Sequence, residues 1–104
     1  MNLLIRLEDM PDGGAVVVKV ASGRSVILAR KGETVFAYEN RCDHAESPLE
    51  HDGGHVLVQE RRYLVCAMHG ARYDMTNGAC AGGPCSGGLA PIAIEIVEGA
   101  VLIR

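Results

Sequence analysis

Two short boxes, Cys42-Asp43-His44 and Cys66-Ala67-Met68-His69, each set one thiol beside one imidazole, so that together they could close a site of two sulfurs and two nitrogens. Thiolate is a soft ligand that suits zinc or iron bridged by sulfide, and neutral imidazole suits either metal. A structural zinc tetrahedron usually spaces its near ligands by two to four residues. Cys66 and His69 fit that spacing, whereas Cys42 and His44, with one residue between them, fit it poorly. The residues after the first box, Ala45-Glu46-Ser47-Pro48, are turn material. The first box is therefore expected on a loop that presents both groups outward rather than on a strand.

The rest of the chain must position those boxes. It has 104 residues and 48% hydrophobic content, which suits one domain over residues 1–104 with one core and no second catalytic domain. A net charge of −3 and a pI near 5.7 argue against nucleic acid as a partner. The opening stretch Met1 to Arg6 is short and soon interrupted by Glu8 and Asp9, so neither a signal peptide nor a membrane span is expected, and a cytoplasmic location is the default. From Val16 onward, β-branched and aromatic runs predict strands at 16–20, 25–29 and 34–38, with turns at Ser22-Gly23 and Lys31-Gly32. His51-Asp52-Gly53-Gly54 reads as a turn, and strands at 55–58 and 62–65 form a hairpin through Gln59-Glu60-Arg61 that delivers Cys66 at a strand end. A short strand at 71–74, a turn at Asn77-Gly78, and a last hairpin of 92–97 and 100–103 around Glu98-Gly99 complete the pattern. No helical period is evident, and the class expected is all-β.

The order C-x-H, 21 residues, C-x-x-H, followed by Gly70 and the pair Tyr73-Asp74, resembles the Rieske [2Fe-2S] proteins, and in particular the small ferredoxins of ring-hydroxylating dioxygenase systems. The resemblance implies an antiparallel Rieske-like β-sandwich with a small cluster-binding subdomain of loops, at about residues 41–86. It implies one [2Fe-2S] cluster, with Cys42 and Cys66 on one iron and His44 and His69 on the other. Gly82-Gly83-Pro84 resembles the family's proline-containing loop over the cluster. Two ferric ions, two sulfides, two thiolates and two neutral imidazoles sum to zero charge, so an added electron meets less repulsion than in a four-cysteine cluster. That is one reason Rieske centres lie at roughly −150 to +300 mV against about −400 mV for plant-type ferredoxins.

The departures from the respiratory type matter. That type carries two further cysteines where this chain has Ser47 and Met68, and the serine after its second box is Ala71 here, while its tyrosine is kept as Tyr73. The stapling disulfide of the respiratory type is thus not expected. Cys80 and Cys85 are expected to stay reduced structural thiols, as is usual in a cytosol, with a bond between them or metal binding as the alternatives. His51 and His55 read as solvated loop histidines, and Glu46, Glu50 and Asp52 as a solvated loop face.

The function expected is one-electron transfer from a flavin-dependent ferredoxin reductase to a terminal aromatic-ring oxygenase, with no catalytic residue of its own. The alternatives are a Rieske-like small subunit of a larger oxidoreductase such as assimilatory nitrite reductase, and a zinc-stabilised interaction domain. The first prediction separates iron from zinc. The purified protein is expected to be red-brown, with iron and acid-labile sulfide in equal amounts; stoichiometric zinc without sulfide would overturn the iron–sulfur reading.

Overall fold

The computed structural model describes residues 2–20, 23, 25–41, 55–66, 70–83, 85 and 87–103, with backbone alone at 2–4 and 55. Ten strands follow in order: β1 (Asn2–Arg6), β2 (Ala15–Lys19), β3 (Ser25–Lys31), β4 (Thr34–Glu39), β5 (His55–Gln59), β6 (Tyr63–Val65), β7 (Arg72–Asp74), β8 (Cys80–Gly82), β9 (Ile94–Val97) and β10 (Ala100–Ile103). The one helical element among the described residues is a single 3-10 turn at Leu7–Asp9.

All pairings are antiparallel, in a three-stranded sheet ordered β1-β10-β9 and a longer one ordered β4-β3-β2-β5-β6-β7-β8. The long sheet is continuous by a narrow seam. β2 meets β5 only at Ala15↔Val56 and Val16↔His55, so β2-β3-β4 and β5-β6-β7-β8 are free to fold against one another about it.

Side-chain alternation along β3 explains the layering. Val26 and Leu28 enter one apolar core with Met10, Val35, Ala37, Ile92 and Val101, while Ile27 and Ala29 enter a second with Val56, Leu64, Cys66, Ala71, Tyr73 and Met75. All four β3 residues are fully buried. A strand covered on both faces needs a continuous apolar run rather than an alternating one, and Val26-Ile27-Leu28-Ala29 is such a run. The small sheet closes the first core through Val101, and β5 to β7 close the second.

The expected strands recur within one or two residues, and both expected hairpins are present. Glu98 and Gly99 both take positive φ, 47° and 79°, as a two-residue hairpin of matching twist requires. Glu60 and Arg61 do the same at 55° and 54° without glycine, and Arg61 Nη2 lies 3.3 Å from Asp12 Oδ1 in an exposed salt bridge. Two strands go beyond the sequence reading. Asn2–Arg6 pairs with β10, almost a chain length away, and Cys80–Gly82 is a strand because it pairs with β7. The turn expected at residues 51–54 lies outside the described residues.

Tyr38 crosses the second core and donates its hydroxyl to the carbonyl of Met75 at 2.8 Å. Burial, and then the charge of Asp74, push its pKa from the ordinary 10.0 up to about 12. Because the folded pKa is raised, the neutral phenol contributes stability that is complete below about pH 10 and is lost as pH climbs towards about 12. Tyr38→Phe is expected to cost about 1–2 kcal/mol in urea unfolding at neutral pH. The same variant should lack the wild type's loss of stability across that alkaline window; a parallel loss in both proteins would put its cause elsewhere.

Candidate metal centre

Each box grows from the end of a strand that belongs to the second core. The first follows β4. There Glu39 N–H donates to Ala90 O at 2.9 Å, Asn40 N–H to Ser25 O at 3.1 Å, and Arg41 N–H to Glu39 O at 2.9 Å. Asn40 is the buried polar side chain among the described residues, 8% exposed, and its Nδ2 donates to Ser25 Oγ at 3.1 Å. A buried amide needs such partners, so this contact holds the last described turn before Cys42 against β3.

The second box follows β6 and is tied more tightly. Cys66 is 1% exposed and packs in the core beside Leu64, Ala71, Tyr73 and Met75. Its N–H donates to Ala71 O at 2.8 Å, and its carbonyl accepts from Gly70 N–H at 3.0 Å. These two bonds hold Gly70 and Ala71 against Cys66, so the backbone on the two sides of the second box is fixed together. Gly70 has φ 74°, which explains the glycine directly after the box. Cys42, His44 and His69 lie outside the described residues. Cys66 is thus the expected ligand that can be placed, with its side chain enclosed in the second core.

A third segment leans on that turn. A Cβ on Gly83 would stand 2.9 Å from both Ala71 Cα and Gly70 O, so the backbone at 83 lies directly against the backbone after the second box. Of the expected covering segment Gly82-Gly83-Pro84, Gly83 makes this contact, and Pro84 lies outside the described residues. Gly82 in turn lies beneath the guanidinium of Arg72, whose Nη1 donates to Gln59 Oε1 at 3.3 Å.

The expectation of reduced thiols at Cys80 and Cys85 is corrected here. Their sulfurs are bonded to each other, with Cα atoms 5.8 Å apart. The physical reason is the β8 excursion: Ala79 bridges Gly88, and Cys80 N–H donates to Gly87 O at 3.2 Å, which folds the segment back on itself. Sequence spacing alone carries no such distance. Cys66, by contrast, takes part in no disulfide. Of four cysteines, the two outside the boxes are therefore bonded to each other.

The turn after β7 steadies Tyr73 from the far side. Asp74 Oδ1 accepts from Thr76 Oγ1 at 2.6 Å and Thr76 N–H at 2.9 Å, and these bonds, chiefly the hydroxyl's, hold its carboxyl below the ordinary carboxylate range. Sequence reading singled out Tyr73-Asp74 as a pair but missed Thr76, whose place two residues on is the recognisable signal of such a turn.

The description "Rieske [2Fe-2S] domain" matches residues 1–93, and the chain belongs to that family. A domain of this family carries one [2Fe-2S] cluster, and the thiol and imidazole set of the two boxes fits it. A ferredoxin component of naphthalene 1,2-dioxygenase/salicylate 5-hydroxylase systems from Ralstonia sp is 26% identical over 94% of this chain and 88% of its own length. The ferredoxin of carbazole 1,9a-dioxygenase from Nocardioides aromaticivorans IC177 superposes with a TM-score of 0.80 at 25% identity, covering 99% of this chain and 95% of that one. A ferredoxin-and-oxygenase complex of carbazole 1,9a-dioxygenase gives a TM-score of 0.84 at 22% identity, covering 99% of this chain and 91% of that chain. A nitrite reductase small subunit shares the fold alone, at TM-score 0.72 and 14% identity, covering 99% of this chain and 96% of its own.

Glycine substitutions test the covering contact. Gly70→Ala meets no described atom within 4 Å and is expected to cost only the left-handed backbone penalty, about 1–2 kcal/mol. Gly83→Ala carries the same penalty at φ 81° and must also displace backbone, so its cost in urea unfolding should be larger by about 1–3 kcal/mol. Equal costs would mean that the loop is not seated on residues 70–71.

Proposed function

We propose that this protein is the electron-carrying ferredoxin of an aromatic-ring-hydroxylating dioxygenase system, receiving single electrons from a flavin-dependent reductase and delivering them to a terminal oxygenase in the cytoplasm. Cys42 and Cys66 hold one iron and His44 and His69 the other. The observation that carries the ligand set is the Cys80–Cys85 bond, because it leaves one thiol per box and no surplus. Support for the carrier role comes from the similar proteins that this chain spans almost end to end, which are named as ferredoxins, whereas the terminal oxygenases that share the fold are covered over only 28% and 29% of their length. For the location, the support is that no helix among the described residues is long and apolar enough to cross a membrane.

When bound, such a cluster accepts and returns one electron. The chain's residues decide that it does nothing more. Two thiolates and two imidazoles fill every terminal position of a two-iron, two-sulfide centre, so no position remains for substrate or dioxygen. Cys66 sits behind the turn at 1% exposure, so the thiolate side faces the core. The histidine side is the one left to meet a partner. Fixed ligands change little in position when charge is added, and the apolar core behind Cys66 supplies that rigidity.

Cys42→Ser and Cys66→Ser are each expected to abolish the visible spectrum, whereas Cys80→Ser and Cys85→Ser should retain it. Cluster loss in either of the latter would reassign the ligands. In a reconstituted mixture, the wild type should be reduced by the flavoprotein one electron at a time and should support product formation only when the terminal oxygenase is present. Oxidation of an aromatic substrate by the protein alone would end the carrier assignment.

A further inference from the structure

The Cys80–Cys85 bond has no part in electron carriage as derived above, yet it spans the segment that rests on the Cys66 turn. Gly82 and Gly83 lie inside the ring that the bond closes, Gly83 abuts Ala71 and Gly70, and Ala71 O holds the Cys66 N–H. A covalent change at the two sulfurs is therefore separated from the Cys66 backbone by one packed contact. We propose that Cys80 and Cys85 form a reversible thiol–disulfide modification site, operated by cellular dithiols or glutathione, that tightens and loosens the segment seated on residues 70–71.

Three features separate a reversible site from a structural staple. First, the frame around the cysteines is closed without the sulfurs: Ala79 bridges Gly88, Cys80 N–H donates to Gly87 O at 3.2 Å, and Leu89 N–H donates to Gly78 O at 2.8 Å. The two thiols stay neighbours after reduction, so the bond can be remade. Second, the dithiol form finds acceptors already in place. Cys80 Sγ lies 3.0 Å from Cys85 O, and Cys85 Sγ lies 3.2 Å from Gly82 O and 3.7 Å from Arg72 O, positions from which thiol hydrogens can donate weakly. Third, both cysteines are partly exposed, whereas Cys66 is enclosed, so an attacking thiolate can reach the bond. In a reducing compartment, a disulfide that forms at all is usually transient or redox-sensing.

The exchange balances. A thiolate of the incoming dithiol or glutathione attacks one cysteine sulfur, forming a mixed disulfide and releasing the other cysteine. The reagent's second thiol, or a second glutathione, then attacks the mixed disulfide and releases the first cysteine, so two electrons and two protons pass to Cys80 and Cys85 as the reagent becomes a disulfide. The result is a loop tethered at β8 by backbone bonds alone.

The test holds the full-length protein in a ladder of reduced and oxidised glutathione, quenches in acid, alkylates, and counts label on Cys80 and Cys85 by mass spectrometry. Amide exchange at Cys66 and Gly70 is read on the same samples. The two cysteines are expected to gain label together as the ladder becomes reducing and to lose it together on return. In the dithiol form the Cys66 and Gly70 amides should exchange about tenfold faster, since local opening becomes easier. The Cys80→Ser/Cys85→Ser double variant should show the fast exchange at every setting. A bond that survives the whole ladder, cysteines that stay labelled under excess oxidised glutathione, or equal exchange in both forms would each overturn the proposal. The wild type in its two states supplies the decisive comparison, so a poorly folded variant does not protect the idea. Both readouts work with or without a bound cluster, so a failure of the ligand assignment is seen separately.

Discussion

The structure depends on one strand whose middle, Val26 to Ala29, is covered on both faces. β3 lies in the middle of β2-β3-β4 and supplies side chains to a core on either side, Val26 and Leu28 to one and Ile27 and Ala29 to the other. Between Val26 and Ala29 this strand has no position where a polar side chain could reach water, and an unpaired polar group there would cost several kcal/mol. The half that bears Cys66 is thereby built on a platform whose back is itself packed. Cys66 shares its core with Ile27 and Ala29, so the site is fixed to the most buried element of the fold.

From that platform outward, the structure passes from apolar packing to a few directed polar bonds. Tyr38 reaches from β4 to Met75 O, Asn40 reaches from the end of β4 to Ser25, and the Asp74–Thr76 turn closes the far side of β7. Each joins a strand end to a neighbour, and strand ends are where loops must be aimed. The two boxes leave from different strands, β4 and β6, yet Tyr38 and Cys66 lie in the same core, which sets the distance between the two loop roots. Side chains far apart in sequence can then share a cluster without a long structured arm.

Electron carriage asks little of such a scaffold beyond holding ligands still and shielding one side. No base, nucleophile or substrate cleft is needed when every metal position is filled by protein. What remains adjustable is the segment seated on the second turn, where a short contact between Gly83 and residues 70–71 separates the Cys80–Cys85 bond from Cys66. Control placed there acts on the surroundings of the centre and leaves its ligands in place.

The chemistry and most strands were legible in the sequence because both depend on local information. Residue type and spacing pointed to a sulfur–nitrogen metal site at the two boxes, and runs such as Val26 to Ala29 or Ala100 to Ile103 announced strands through apolar content and flanking turns. Family membership over residues 1–93 agrees with that reading. Tertiary structure decided what depends on distant partners. Asn2–Arg6 is a strand because β10 lies beside it, Cys80–Gly82 because β7 does, and neither pairing is written within the segment itself. Cys80 and Cys85 were assigned reduced thiols from compartment chemistry, but whether two sulfurs meet depends on the path of the chain between them. The backbone closure at 79–88 brings them together, and a five-residue separation does not reveal that closure in advance.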